Sequence, residues 1–306
     1  MQPGGSGAVY LAEQNVPRRM VALKVIRPGA ASPETLRRFH FEASMLGKLR
    51  HIGIAQIYEA GTYDDSVGAR PYFAMEHVAG KQLASFAREK YLGTRAKLEL
   101  LANVCDAVQH AHQHGVIHRD LKPGNILVDE TGQPTVLDFG VACSADRGPH
   151  SVSTRPGALL GTIEYMSPEQ IDGGTEEVDT RTDIYSLGVI MYELLAGRMP
   201  HDLTGLSMTA AMGHVRRESV PPLGRIHRTL RGDIETICAK AMEKDKTRRY
   251  ESASALRADI HRLLRNEPIT ARPASAIYQL RKLAKRNRPE GRVIAHRVCD
   301  AAYRST

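Results

Sequence analysis

Apolar and polar positions change their period near residue 80. Before it, residues 8–12 and 20–26 are short runs rich in Val and Leu, separated by a polar stretch containing Pro17. That pattern predicts a β-hairpin. Residues 33–49 place Leu36, Phe39, Ala43, Leu46 and Leu49 at helical spacing, with Ser32 before Pro33 as a cap, which predicts a helix. Two further strands are expected over 54–62 and 70–78. After Gly80 the period is helical. Residues 98–114 set Leu98, Leu101, Ala102, Cys105, Val108 and His112 on one face and stop at Gly115. Further helices are expected over 183–196, ended by Gly197 and Pro200, and over 233–243 and 253–265. Residues 276–286 form a short amphipathic pattern with Ile277, Leu280 and Leu283 on one side. The outline is a small β-rich unit, a hinge at 76–80, and a larger α-rich unit, with a cleft between them suited to a nucleotide.

Composition narrows the class. A chain of 306 residues that is 42% hydrophobic has the size and content for a sizeable core. No run of 18 apolar residues occurs, so no transmembrane helix is expected, and residues 1–5 lack the parts of a signal peptide. Cys105, Cys143, Cys238 and Cys299 lie far apart and form no metal-ligand pattern, which points to a reduced cytoplasmic setting. Cys143 reads as a small semi-buried residue, with a reactive thiol as the alternative. The net charge of +8 is uneven: residues 281–304 hold many Lys and Arg against two acids, Glu290 and Asp300. Such an end is a solvated tail or a contact for an anionic membrane surface; charge alone carries no case for nucleic acid.

The densest chemistry lies in residues 116–140, which read Val-Ile-His-Arg-Asp-Leu-Lys-Pro-Gly-Asn-Ile-Leu-Val and, after a spacer, Val-Leu-Asp-Phe-Gly. Asp120 offers a base, Lys122 a cation, and Asn125 and Asp138 the oxygen ligands that a hard divalent metal prefers. Phosphoryl transfer from a magnesium nucleotide needs this set. Earlier in the chain, Gly4, Gly5 and Gly7 precede a strand beginning near Val9, a pattern that lets backbone N–H groups approach phosphates. Lys24, within Val-Ala-Leu-Lys, is a cation among apolar neighbours and needs an anionic partner.

These motifs, with Gly-Thr-Ile-Glu-Tyr-Met-Ser-Pro-Glu-Gln at 161–170 and the run at 182–200, resemble the eukaryotic-like serine/threonine protein kinases of bacteria over residues 4–267. The resemblance implies an α+β, bilobal protein-kinase fold: an N-lobe at 1–79, a C-lobe at 80–267 and a basic tail at 268–306. It implies that Lys24 pairs with Glu42 and the ATP phosphates, and that Asp120 orients the substrate hydroxyl while Lys122 neutralises the transferred group. Thr162 would bond the base and the lysine. Met75 would be the gatekeeper and Glu76 to Val78 the adenine-binding hinge, with Val9, Ala22 and Leu127 against the base. Leu46, Ile57, His118 and Phe139 would stack in a column joining the lobes. Glu169 would pair with Arg249, and Asp183 would hold the catalytic loop or simply cap its helix. Arg119 would meet a phosphate on the activation segment, formed at Ser151, Ser153 or Thr154.

Gln2 stands where the family carries its first loop glycine, and the strand before that loop is expected to be absent. The implied activity is transfer of the ATP γ-phosphate to protein Ser/Thr hydroxyls with Mg2+ or Mn2+, with autophosphorylation. The alternative is a catalytically weak scaffold or binding module with a truncated Gly-rich loop. Gly124 sits where many relatives carry an acid, so no preference for basic substrates is assumed.

Overall fold

The computed structural model describes residues 2–4, 7–26, 33–65, 68–139, 161–173, 178–272 and 282. Gly5, Cys143, Cys299, the three activation-segment hydroxyls and the expected helix at 276–286, apart from Lys282, lie outside the described residues or rest on them.

The first unit is a five-stranded antiparallel sheet in the order β1-β2-β3-β5-β4. Its strands are β1 (Gln2–Gly4), β2 (Gly7–Asn15), β3 (Arg18–Ile26), β4 (Ile57–Asp65) and β5 (Gly68–Glu76), with helix α1 (Pro33–Leu46) contacting β4. Strand β1 ends on Gly4 and so lies within the Gly-rich segment rather than before it. It is three residues long and pairs Gln2 with Val9 and Gly4 with Gly7. Residues directly opposite in an antiparallel pair share a face. Leu11 and Met75 both oppose Ala22, and Val9 and Phe73 both oppose Lys24. The register thus gathers Val9, Leu11, Ala22, Lys24, Phe73 and Met75 on one face. That face is closed at the β5 end, where Phe73 is 0% exposed, and open at the hairpin, where Leu11 is 61% exposed.

The second unit begins with β6 (Lys81–Gln82), α2 (Leu83–Glu89) and α3 (Thr94–Gln113). Strands β7 (Ile126–Val128) and β8 (Pro134–Val136) join β6 in a three-stranded sheet. Then come α4 (Pro168–Ile171), α5 (Thr180–Ala196), α6 (Met208–Arg217), α7 (Leu223–Ile226), α8 (Asp233–Ala241) and α9 (Ala253–Leu264). Helix α5 is buried around nearly its whole circumference, so it lies in the centre, contacting α3, α7, α8 and α9. Asp179 caps its start by accepting from Arg181 N, and Gly197 ends it in the left-handed conformation. Asp183 is therefore not the cap; it is a buried residue of the first turn. Gly188 lets α8 approach closely: a Cβ there would lie 2.7 Å from Met242 Cγ and 2.9 Å from Ala241 Cβ.

Among the boundaries that differ from the sequence pattern, two have a local cause in the structure. Helix α1 stops at Leu46 because Gly47 interrupts it, yet Leu49 stays buried in the turn that follows. The expected strand at 54–62 starts at Ile57, since His51 to Gln56 form a loop bonded to Val136 and Glu76.

Candidate active site

The catalytic loop is held from beneath. The backbone N–H groups of His118 and Arg119 donate to the two carboxylate oxygens of Asp183, at 2.8 and 2.9 Å. His112 Nε2 lies 2.7 Å from Asp183 Oδ2. Burial opposes ionisation of Asp183, but the bonds from His112 and the His118 amide outweigh it and hold its pKa below the usual carboxylate range. This fixed anion sets the loop while Arg119 takes a left-handed backbone with φ +66°. Gln170, in α4, donates to the Arg119 carbonyl at 2.6 Å and ties the loop to the segment after Thr162.

On that support, Lys122 Nζ donates to both oxygens of Asp120, at 3.0 and 2.9 Å, and to Thr162 Oγ1 at 3.2 Å. Asn125 Nδ2 donates to the Asp120 carbonyl at 2.7 Å. That orientation leaves the Asn125 side-chain oxygen as an acceptor, the atom a metal would use. The loop at Asp138 is joined to this group through Leu137, whose N–H donates to Asn125 O at 2.8 Å. Leu137 O in turn lies 2.9 Å from His118 Nε2. Asp120 N donates to His118 Nδ1 at 3.3 Å, so Nδ1 is the acceptor and Nε2 carries the hydrogen. His118 is thus a structural donor through Nε2. Its ring packs against Phe139 with centroids 4.8 Å apart. Phe139, Leu46, Ile57 and Met75 line one small cavity between the lobes.

Lys24, 4% exposed, crosses from the sheet to Asp138 Oδ2 at 3.0 Å. Asp138 has φ +56°, which turns its carboxylate toward that lysine and away from the strand. Glu42 lies half-buried on α1. Met75 is buried, Glu76 N bonds Gln56 O at 2.8 Å, and Val78 and Leu127 are half-buried beside the hinge. Gly80 follows the hinge where a Cβ would lie 2.7 Å from Val128 O, so the strand crossing there requires glycine.

The segment at 165–169 is anchored by three side-chain contacts. Arg249 binds Glu169 through two bonds, as the sequence suggests. Tyr165 OH donates to Glu193 at 2.7 Å, and Ser186 Oγ donates to Tyr165 O at 2.8 Å. Sequence reasoning assigned no role to Tyr165, Gln170, Glu193 or the His112–Asp183 pair. The one available signal was His112 itself, a polar residue on the buried face of α3 that needs a partner.

The donor set fits a hard divalent cation. Asn125 Oδ1 and the Asp138 carboxylate offer oxygen donors, and among the described residues no His/Cys/Asp/Glu group of three forms a different metal site.

Residues 3–260 match the protein kinase domain family. The chain is 38% identical over 268 residues to the serine/threonine-protein kinase PknB of Mycobacterium tuberculosis, covering 87% of this chain and 42% of that protein. It is 37% identical over 259 residues to PrkC of Bacillus subtilis, covering 84% of this chain and 38% of the relative. The chain thus spans about two fifths of the length of these relatives. The crystal structure of the M. tuberculosis PknI kinase domain shares the fold, with a TM-score of 0.64 at 24% identity over 85% of this chain and 92% of that one. The family uses ATP, a divalent metal and protein substrates. With its α+β lobes, its catalytic-loop geometry and the match over residues 3–260, the chain belongs to the protein kinase domain family.

Proposed function

We propose that this chain transfers the γ-phosphoryl group of Mg-ATP to serine and threonine hydroxyls of proteins. The observation that carries the reading is the joint geometry of Asp120, Lys122 and Thr162 on a loop bonded through Leu137 to Asp138. Asp120 accepts or orients the hydroxyl proton of the substrate. Lys122, within 3.0 Å of that base, sits where charge develops on the group in transit. Lys24 directs its ammonium to the α- and β-phosphates and pairs with Glu42. Val9, Ala22, Met75, Glu76, Val78 and Leu127 surround adenine, and Gly4, Gly5 and Gly7 cover the phosphates. Asn125 and Asp138 would hold Mg2+, with Mn2+ as a substitute, and the bound cation would supply neutralisation of phosphate charge.

The complete polar set favours catalysis over a scaffold role. The test is γ-phosphate transfer to a generic protein substrate with Asp120→Asn as control. Transfer well above that control supports the reading, and equal incorporation by both folded proteins overturns it. Autophosphorylation at Ser151, Ser153 or Thr154 belongs to the same reading. Arg119 Nε is buried with no hydrogen-bond partner among the described residues, which suits a guanidinium that receives a phosphate. Phosphosite mapping after incubation with Mg-ATP tests it.

No helix among the described residues is long and apolar enough to cross a membrane. The basic residues at 281–304 would hold the domain against an anionic membrane surface at the cytoplasmic side. Salt-sensitive retention on anionic liposomes checks this.

A further inference from the structure

Three imidazoles stack beside α3, away from the residues of the catalytic loop. The ring centroids of His51 and His110 are 5.1 Å apart, and those of His110 and His114 are 4.5 Å apart. Asp106, His110 and His114 recur every fourth residue along α3 and its end, so they share one face. His51 reaches them from the loop after α1, with Nε2 3.5 Å from Asp106 Oδ2. Arg257 of α9 pairs with Asp106 Oδ1 at 2.7 Å, and His261 lies on the same helix in the field of Arg257, Arg265, Asp106 and Glu99.

The hydrogen bonds fix which nitrogens carry protons. Gly53 N–H donates to His51 Nδ1 at 3.0 Å, so in the neutral ring Nδ1 holds the lone pair and Nε2 the hydrogen. A second proton on His51 has to land on Nδ1, the atom that Gly53 occupies. His114 Nδ1 faces the His110 carbonyl at 2.8 Å and is therefore its donor. His110 Nε2 is buried without a hydrogen-bond partner among the described residues. Burial and the two flanking imidazoles hold the His110 pKa below the ordinary value.

Gly53 is also the attachment point of the strand leading to Asp138. Its carbonyl accepts from Val136 N at 2.8 Å, and Ala55 N donates to Val136 O at 3.0 Å. A Cβ at Gly53 would lie 3.0 Å from Ala107 Cβ, so the loop sits tight against α3.

We propose that His51, set among Asp106, His110 and His114, is a proton-operated latch on the strand that carries Asp138. Neutral His51 holds Gly53, and Gly53 holds Val136. A protonated His51 turns an acceptor into a donor facing a donor, so Gly53 detaches and the position of Asp138 relaxes. His110 and His114 tune the latch, because a charge on His51 is repelled by any charge they take up. The inference rests on Asp138 as a metal ligand, so its test includes a readout that needs no activity.

Hydrogen exchange at the Gly53 and Val136 amides, corrected for intrinsic pH dependence, is measured from about pH 7.5 to about pH 5.5, alongside kcat. In the wild type, protection of both amides and kcat fall together on acidification. His51→Asn keeps an acceptor for Gly53 without titrating. It is expected to retain activity near neutrality and lose about fivefold less kcat across the acid range. The double variant His110→Gln/His114→Gln removes the repelling neighbours and shifts the acid limb to higher pH. The latch is overturned if Gly53 and Val136 protection is pH-invariant in the wild type, or if all three kcat profiles superimpose. An absence of metal-dependent transfer at neutral pH with pH-dependent protection intact counts against the kinase reading and leaves the latch standing.

Discussion

Arg249 and Glu169 form a closed fork: two parallel bonds of 2.7 and 2.8 Å join a guanidinium that is 0% exposed to a carboxylate that is 7% exposed. The other three N–H groups of Arg249 donate to the carbonyls of Arg181, Glu243 and Lys244. Every donor of the side chain is satisfied, which is the condition under which a buried pair stabilises. Arg249→Met leaves Glu169 as an uncompensated buried charge and is expected to cost about 3–5 kcal/mol, read as a fall in denaturation midpoint. Burial opposes ionisation of Glu169, but Arg249 and Thr182 outweigh it and depress the pKa. The stability this supplies is complete above the unfolded carboxylate pKa and is lost as pH falls through the folded one. Glu169→Gln should therefore lower the midpoint at neutral pH and narrow its gap to wild type in acid.

His201 predicts a second acid response. Burial, Lys244 and His214 push its pKa down to about 4, and its Nε2 accepts from Lys244 at 3.1 Å. The unfolded chain binds this proton at a higher pH than the folded one. Stability is present above the unfolded histidine value and falls between there and about 4. His201→Gln, which keeps an acceptor for Lys244, is expected to remove roughly 1–3 kcal/mol of that acid loss. Thermal melts at a series of pH values, wild type against variant, read it directly.

Asp183→Asn separates support from chemistry. The amide has one carbonyl oxygen where the carboxylate accepted from His112, His118 and Arg119. The expected result is a fall in kcat of about 10²-fold, with the KM for ATP changed far less. A folded variant with unaltered kcat would contradict the role given to Asp183 under the catalytic loop.

Gly188→Ala tests the packing of α5 against α8. The added methyl meets Ala241 and Met242 at distances no relaxed contact shows, and is expected to destabilise by about 1–3 kcal/mol. Activity per folded molecule should be retained, since Gly188 touches none of the catalytic residues. Combined melting and active-site titration distinguish the two.

Much of this was legible because the chemistry is local. Asp120, Lys122 and Asn125 lie within one short loop, and the strand and helix periods around them are regular. The lobe outline followed from the switch in period near Gly80. Elements with few apolar positions were harder. Helix α6 buries only Ala211 and Val215, and β6 is two residues long, so neither leaves a period to read. The contact of Lys24 with Asp138, the bond from Gln170 to Arg119 and the pair Tyr165–Glu193 join residues tens of positions apart. Their partners are chosen by tertiary packing, which composition and spacing do not encode. The short strand β1 escaped notice for another reason: Gln-Pro-Gly has no strand pattern of its own and is strand only through its pairing with β2.

Leu137 joins the catalytic and metal loops through its main chain alone, donating with its N–H and accepting with its carbonyl. The two bonds that align Asp120 with Asp138 therefore ask for a backbone amide at this position rather than a particular side-chain group, and proline, which lacks that hydrogen, is the replacement that would part the two loops.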